Sequence, residues 1–335
     1  EICKWGIIKK LINLERIKKA HEAISPYINR TPLILSNYLS KDRIVKLKLE
    51  SLQITNSFKL RGATNKLLSL DNEQKQRGVI AVSTGNHGKG VAYAASVLGI
   101  QSTIYMSSMV PQYRKEAIEA LGAKVEIIGN NSDEADLYAK KIAREQNITL
   151  VHPFDDEEVI AGQGTVGLEM LEDFPEVDTV IIPTSGGGLI GGIALAIKLQ
   201  KPTVNIIAVS MERGPSMYES LKNGKPTDVE ELETLADCLG GSIGLDNQYT
   251  FKIAQDTIDD FVLVSENKIA EGIKFNFIEH KLVTEGAAAT GVMVVKDNMS
   301  KKIGKNIISL ICGGNIDAEL FNKIISWHWY LIQLK

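Results

Sequence analysis

The sequence predicts an α/β protein: two doubly wound domains, each on a parallel or mixed sheet, with a cleft between them. Three observations carry this. From Gly78 onward, short apolar runs alternate with longer amphipathic stretches, the pattern of βαβ units and a parallel sheet. The alternation runs as two series, divided by a helix beginning near Glu157. Several apolar runs end in dense turns of glycine and small polar residues, at Ser83–Gly88, Thr184–Gly192 and Cys312–Asn315.

Taken in order, 14–28 reads as a helix, and Pro32 forces an extended exit from it. Residues 44–50 alternate apolar and charged, as a strand exposed on one side would. Thr55–Ala63 is a polar turn that runs into a helix at Leu60-Arg61, continuing through 63–70. Strands then fall at 79–82, 101–106, 124–128 and 149–151, with helices to 98 and at 111–121 and 132–145. A helix at 157–171 opens the second series. Its strands are 179–182, 205–209, 261–264 and 306–311, and its helices 188–199, 266–278 and 285–296. Residues 221–233, with Asn223-Gly224 and Pro226, read as a solvated loop.

Composition narrows the function. The chain has 335 residues, 44% hydrophobic and 24% charged, the balance of an ordinary globular protein. A net charge of −3 gives no electrostatic footprint for nucleic acid. No apolar run approaches the roughly 18 residues that cross a bilayer, so no membrane partner is expected. Cys3, Cys238 and Cys312 are few, odd in number and widely spaced. They argue against a disulfide framework or a metal site and for a reducing, cytoplasmic setting.

Five places are fit for chemistry. Lys59 sits between Phe58 and Leu60, and low-dielectric neighbours make a lysine give up its proton more easily; the neutral amine condenses with an aldehyde. Ser83-Thr84-Gly85-Asn86-His87-Gly88 follows a strand and opens a helix, which suits a carboxylate. In Thr184-Ser185-Gly186-Gly187-Gly188-Leu189, three glycines open an apolar helix and can form a nest of backbone N–H groups for a phosphate. Glu285, at a helix start, and Cys312, the last side chain before Gly313-Gly314, complete the set. An aldehyde, a phosphate and a carboxylate belong together in one adduct, that of pyridoxal phosphate with an amino acid.

With these motifs in hand, the chain resembles the serine/threonine dehydratase and serine racemase family of fold type II pyridoxal-phosphate enzymes, whose fold is like that of the tryptophan synthase β subunit. The matching residues are Asn56–Ala63, Ser83–Gly88, Ser185–Leu189 and Cys312–Asn315, with weaker support from Leu235-Ala236-Asp237 and Gly241–Gly244. Gly244-Leu245-Asp246-Asn247 looks closer to the hydroxyaspartate and ectoine-utilisation dehydratase branch. The resemblance implies a large cofactor-binding domain (1–77 and 156–335), a small domain closing over substrate (78–155), and a homodimer. It implies that Lys59 holds pyridoxal 5′-phosphate covalently and, once freed, removes the α-proton. Phe58 and Asn86 would line the cofactor, Asn86 bonding its phenolic oxygen. Ser83, Thr84, Asn86 and His87 would take the substrate carboxylate. Backbone N–H groups of Ser185, Gly186, Gly187, Gly188 and Leu189 would hold the phosphate. Glu285 would lie near the ring, and Cys312 would face its nitrogen.

The implied reaction is elimination of water from a small L-β-hydroxy amino acid of the serine or threonine type, giving a 2-keto acid and ammonia. The alternatives are a 3-hydroxyaspartate dehydratase, a serine racemase and, outside enzymes, a phosphate-ligand binding protein without turnover. Racemases of the family place serine where Thr84 stands. The family's divalent-cation site needs a glutamate and then an acid six residues on. Here Glu212 is followed by Tyr218, so no metal is expected. The tail Trp327–Ile332 puts large apolar groups where a partner subunit would cover them.

Overall fold

The computed structural model describes Gly6 and residues 10–326. The tail 327–332 and Cys3, on which the sequence reading placed a subunit contact and a free thiol, lie outside the described residues.

Two sheets organise the chain. The larger contains β1 (Leu33–Leu35), β2 (Ile44–Leu49), β7 (Thr179–Pro183), β8 (Asn205–Met211), β9 (Asp260–Val264) and β10 (Asn306–Ile311). Its order is β1-β2-β10-β7-β8-β9, with β1 antiparallel and every other pair parallel. The smaller sheet, β5-β4-β3-β6, is parallel throughout and consists of β3 (Val79–Val82), β4 (Ser102–Met106), β5 (Lys124–Ile127) and β6 (Thr149–Leu150).

The helices follow in chain order. They are α1 (Leu14–Ile24), α2 (Lys59–Leu68), α3 (Asn72–Arg77), α4 (Asn86–Val97), α5 (Gln112–Glu119), α6 (Ser132–Gln146) and α7 (Glu157–Asp173). Then come α8 (Gly188–Lys198), α9 (Ser216–Asn223), α10 (Thr250–Thr257), α11 (Glu266–His280), α12 (Gly286–Lys296) and α13 (Ala318–Ile325). Their starts are written locally: Asn13, Asp71, Asn131, Asp156 and Asp317 each accept a backbone N–H of the helix they precede.

Helix α2 lies between the two halves. Leu60, Ala63 and Leu67 enter the core of the small sheet beside Val79, Ala81 and Val91. Its other side meets α7 backbone to backbone: a Cβ on Gly162 would stand 2.7 Å from both the Arg61 carbonyl oxygen and Gly62 Cα. Only glycine allows that approach.

One sequence expectation is corrected here. Strand β2, paired with β1 and β10, is exposed on one side only at its start: Ile44 is exposed and Lys46 half-buried, whereas Lys48 and Glu50 on that side are buried. Lys48 on β2 is wholly buried, donating to Glu169 Oε2 at 2.5 Å and to the Thr31 carbonyl at 2.7 Å. The alternation misleads because the lysine is neutralised inside the protein rather than hydrated. Glu169 also receives Arg61 Nη1 at 2.7 Å and Nη2 at 2.9 Å. Arg61 in turn reaches Glu50 through Nε at 2.9 Å and Nη2 at 2.8 Å. Burial opposes the Arg61 charge, but Glu50 and Glu169 beside it hold the guanidinium charged more firmly than usual.

The expected loop at 221–233 is shortened at its start, since α9 runs to Asn223 and closes on Gly224 in the left-handed region. Strand β1 and helices α3, α10 and α13 also went unread, being short and carrying too few periods to stand out.

Removing one member of a buried charge cluster strands the others. Glu169→Ala should therefore destabilise the protein by about 3–5 kcal/mol, read as a lowered denaturation midpoint. Glu15→Ala, which breaks only the exposed pair with Lys19, should cost less than about 1 kcal/mol.

Candidate active site

Lys59 is the first residue of α2, and its Nζ donates to the Pro153 carbonyl at 2.7 Å. Burial lowers its pKa to about 8, although Cys238, Cys312 and Glu285 pull the other way. A usable share of neutral amine is therefore present near neutral pH. Phe58 is half-buried and anchored by its backbone N–H on the Cys312 carbonyl at 3.1 Å, and Ser57 pairs with Gly313 in an isolated bridge. The lysine segment is thus tied directly to the turn after β10.

The turn after β3 comes to the same place. Asn86 and His87 are buried in the first turn of α4, while Ser83 and Thr84 are half-buried just before it. Helix α4 has no side-chain cap, so its first N–H groups face the cleft unspent. His87 Nε2 lies 2.8 Å from the Val151 carbonyl, so that nitrogen carries the proton. Burial and the nearby Lys59 hold the His87 imidazole down at about 3, hence neutral. Its remaining ring nitrogen is an acceptor and cannot donate to a carboxylate.

Asn86 Nδ2 donates to Glu285 Oε1 and Oε2 at 2.9 and 3.1 Å and approaches Cys238 Sγ at 3.5 Å. Burial raises Glu285 to about 7, with Asp237 adding to the rise and Asn86 and Asn315 opposing it. Cys312 is buried and burial pushes its thiol up, so it stays protonated. Cys238 is an exposed residue with its sulfur turned in toward Asn86, which marks where the cleft opens to solvent.

The glycine turn after β7 completes the arrangement. Ser185 is half-buried, whereas Gly186, Gly187, Gly188 and Leu189 are buried. Gly187 has φ +92°, and a Cβ there would meet Met217 and Thr250. Helix α8 also has no side-chain cap, so its opening amides are available to an anion. Gly186 and Gly188 lie against Phe154, next to the Pro153 that receives Lys59. The 152–157 segment is braced from behind: Asp155 accepts the backbone N–H groups of Gln248, Tyr249 and Thr250 at 2.7–3.0 Å. A polar cavity of about 400 Å³ is lined by His152, Asp155, Asp156 and Tyr249; Asp155 serves the brace, and Asp156 caps α7 and pairs with Lys66.

Residues 24–313 match the family described as pyridoxal-phosphate dependent enzyme. The chain belongs to that family. The catabolic L-threonine dehydratase of Staphylococcus aureus is 42% identical over 321 residues, covering 94% of this chain and 92% of that protein. Among solved structures, maize serine racemase superposes with a TM-score of 0.87 at 31% identity, covering 95% of this chain and 98% of that one. The T.th. threonine deaminase gives 0.83 at 36% identity, covering 91% of this chain and 99% of that one. The fold is that of the fold type II pyridoxal-phosphate enzymes.

The residues of this pyridoxal-phosphate dependent enzyme fit its cofactor. The amine at Lys59, the uncapped glycine turn and the Asn86 amide form a contact-linked set through Pro153, Phe154, Cys312 and Gly313. Sequence reading left out Pro153 and Phe154 of this set, and gave no role to Asn315, which bonds Asn86 Oδ1, or to Lys89, which bonds Asn315 Oδ1. Asn315 stood inside a quoted motif, but nothing in its spacing assigned it a role. Among the described residues, no group of three or more His, Cys, Asp or Glu is placed to hold a metal ion.

The lowered Lys59 gives a pH prediction. A lysine attacks an aldehyde only when neutral, and neutrality is reached above its pKa. Reattachment of cofactor to stripped enzyme should speed up as pH rises through about 8, rather than through the ordinary lysine value of 10.5. Stopped-flow absorbance of pyridoxal phosphate uptake across pH 6–10 checks this; a rate still climbing steadily to pH 10 counts against it.

Proposed function

We propose that this enzyme eliminates water from a small L-β-hydroxy amino acid of the serine or threonine type, releasing a 2-keto acid and ammonia. The observation that carries the reading is the Lys59 amine, held on the Pro153 carbonyl with its pKa lowered to about 8. The likeness to threonine dehydratase and threonine deaminase over nearly the whole chain supports it.

Bound pyridoxal phosphate would supply an electron sink for the substrate and a phosphate able to protonate a departing hydroxyl. The residues of this chain do the rest. Lys59 Nζ, once free, accepts the α-proton. The carboxylate rests on the hydroxyls of Ser83 and Thr84 and on the opening N–H groups of α4. His87 joins through its backbone N–H, because its neutral imidazole is committed to Val151. The opening amides of α8, with Ser185–Leu189, hold the phosphate, and Asn86 faces the phenolic oxygen. Cys312 presents a neutral thiol to the ring nitrogen, a weak donor that limits electron withdrawal. So weak a partner would favour loss of a β-leaving group over transamination.

The likeness to serine racemase keeps a second reaction in view. Thr84 stands where racemases of the family carry serine, and its branched side chain is stiffer at χ1. On this reading, keto acid forms faster than the opposite enantiomer. The same reading takes the enzyme as a homodimer of a reducing compartment, in which 78–155, carrying Ser83 and Thr84, closes over substrate on the cofactor-binding remainder; light scattering tests the dimer.

Borohydride reduction of the resting enzyme should fix a pyridoxyl label on the peptide containing Lys59. With serine, threonine and 3-hydroxyaspartate offered in turn, serine or threonine should give keto acid fastest. Lys59→Ala should lower that rate by at least on the order of 10²–10⁴-fold. Label on another lysine would remove the proposed role of Lys59, and ligand binding without keto acid from any of the three would leave a binding protein.

A further inference from the structure

Four side chains form a directed hydrogen-bond chain across the cleft. Lys89 Nζ donates to Asn315 Oδ1 at 2.8 Å. Asn315 Nδ2 donates to Asn86 Oδ1 at 2.6 Å and to the Thr55 carbonyl at 3.0 Å. Asn86 Nδ2 donates to the Glu285 carboxyl at 2.9 and 3.1 Å. The Asn315 backbone N–H closes a ring on Glu285 Oε2 at 3.1 Å.

The chemistry at the two ends fixes every direction between them. An ammonium has only donors, so Asn315 must turn its oxygen to Lys89. Its amide nitrogen is then left for Asn86, which must answer with oxygen. The Asn86 nitrogen therefore faces Glu285, whose carboxyl oxygens accept from it. Of the two Asn86 N–H groups, one is spent on Glu285. The other meets nothing better than the Cys238 sulfur at 3.5 Å, a weak acceptor that a ligand oxygen would outcompete.

Glu285 gives up something to stand there. It occupies the N-cap position of α12 but makes no side-chain cap bond, an interaction typically worth about 1 kcal/mol. It is 2% exposed and its nearest partners are amides rather than cations. Its carboxyl also fills the space where a side chain on residue 313 would start, which requires Gly313. Lys89 and Asn86 belong to α4, beside the small sheet, whereas Asn315 and Glu285 follow β10 and precede α12 on the large one. The chain is therefore complete only with the two sheets in this relative position.

We propose that Lys89, Asn315 and Glu285 are positioning residues that hold the Asn86 amide with one N–H reserved for the phenolic oxygen of pyridoxal phosphate. This rests on the reading of Asn86 given under the proposed function. Glu285→Ala, Glu285→Gln and Lys89→Met would be prepared as holoenzymes alongside the wild type. Pyridoxal phosphate dissociation constants and visible absorption spectra would be measured for each. Loss of a hydrogen bond to a charged group is expected to weaken cofactor binding about tenfold in Glu285→Ala and to move the visible band. Glu285→Gln keeps an acceptor oxygen for Asn86 and should restore binding to within about threefold. Lys89→Met removes the far end and should shift the band in the same direction. It serves as the deciding variant if Glu285→Ala fails to fold. Binding within twofold of wild type with an unmoved band, in Glu285→Ala or in Lys89→Met, would overturn the proposal, as would a Glu285→Gln no better than Glu285→Ala. A wild-type protein that takes up no pyridoxal phosphate would instead overturn the functional reading itself.

Discussion

The position of the Lys59 amine depends on charge buried where water cannot compete. Arg61, two residues along α2, is clamped between Glu50 at the end of β2 and Glu169 on α7, and Lys48 neutralises Glu169 from its other side. Such a cluster is weak evidence for stability, since desolvation offsets much of the attraction. What it provides is a fixed geometry. The Arg61 fork satisfies both carboxylates only with α2 at one height and rotation. Helix α7 begins directly after the segment that presents Pro153 and Phe154, so the same cluster relates the amine to its carbonyl partner and to the wall of the glycine turn.

The site itself is built on the opposite principle. Lys59 and Glu285 are both desolvated, and neither has the other as a direct partner. One is pushed down to about 8 and the other up to about 7. Both can therefore change protonation near neutral pH, whereas Arg61 and Glu169, paired with each other, are each held in the charged form. Ionisable groups left this uncomfortable cluster at functional sites because a proton held loosely is a proton that can move. The sequence marks the two kinds of residue identically; only burial and partners separate Lys48 from Lys59.

That difference explains what could be read in advance. The alternation of strands and helices, and the dense turns at Ser83–Gly88, Thr184–Gly192 and Cys312–Asn315, follow from local pattern and survive nearly unchanged. Lys59 was legible through its apolar neighbours and through the company of those turns. Lys48 was misread, because a charged residue in a strand signals solvent unless a carboxylate 121 positions away is known to meet it. Asn315, Lys89 and Pro153 were missed for the same reason. Asn315 acts through Lys89, 226 positions distant, and Asn86, 229 positions distant, and Pro153 through a backbone carbonyl that no side-chain pattern announces. His87 was expected to take the substrate carboxylate; its bond to Val151 commits one ring nitrogen, so a contact to a carboxylate falls to its backbone N–H.

The placement of helix starts adds a final constraint on the chemistry. Helices α2, α4, α8 and α12 all begin at the cleft, after a turn that follows β3, β7 or β10 or within the segments bound to those turns. Their N-termini bring partial positive charge toward one region. A dianionic phosphate and a carboxylate gain from this field, so binding needs no arginine or lysine reaching into the ligand. On the proposed placement, the same field would oppose an added proton on a ring nitrogen, and the neutral Cys312 thiol would be too weak a donor to offset it. On the proposed roles, Lys59 would accept the α-proton, and so weak a partner for the ring would favour loss of a β-hydroxyl. Backbone field and thiol push in one direction, toward dehydration, and an acidic side chain in place of Cys312 would set them against each other.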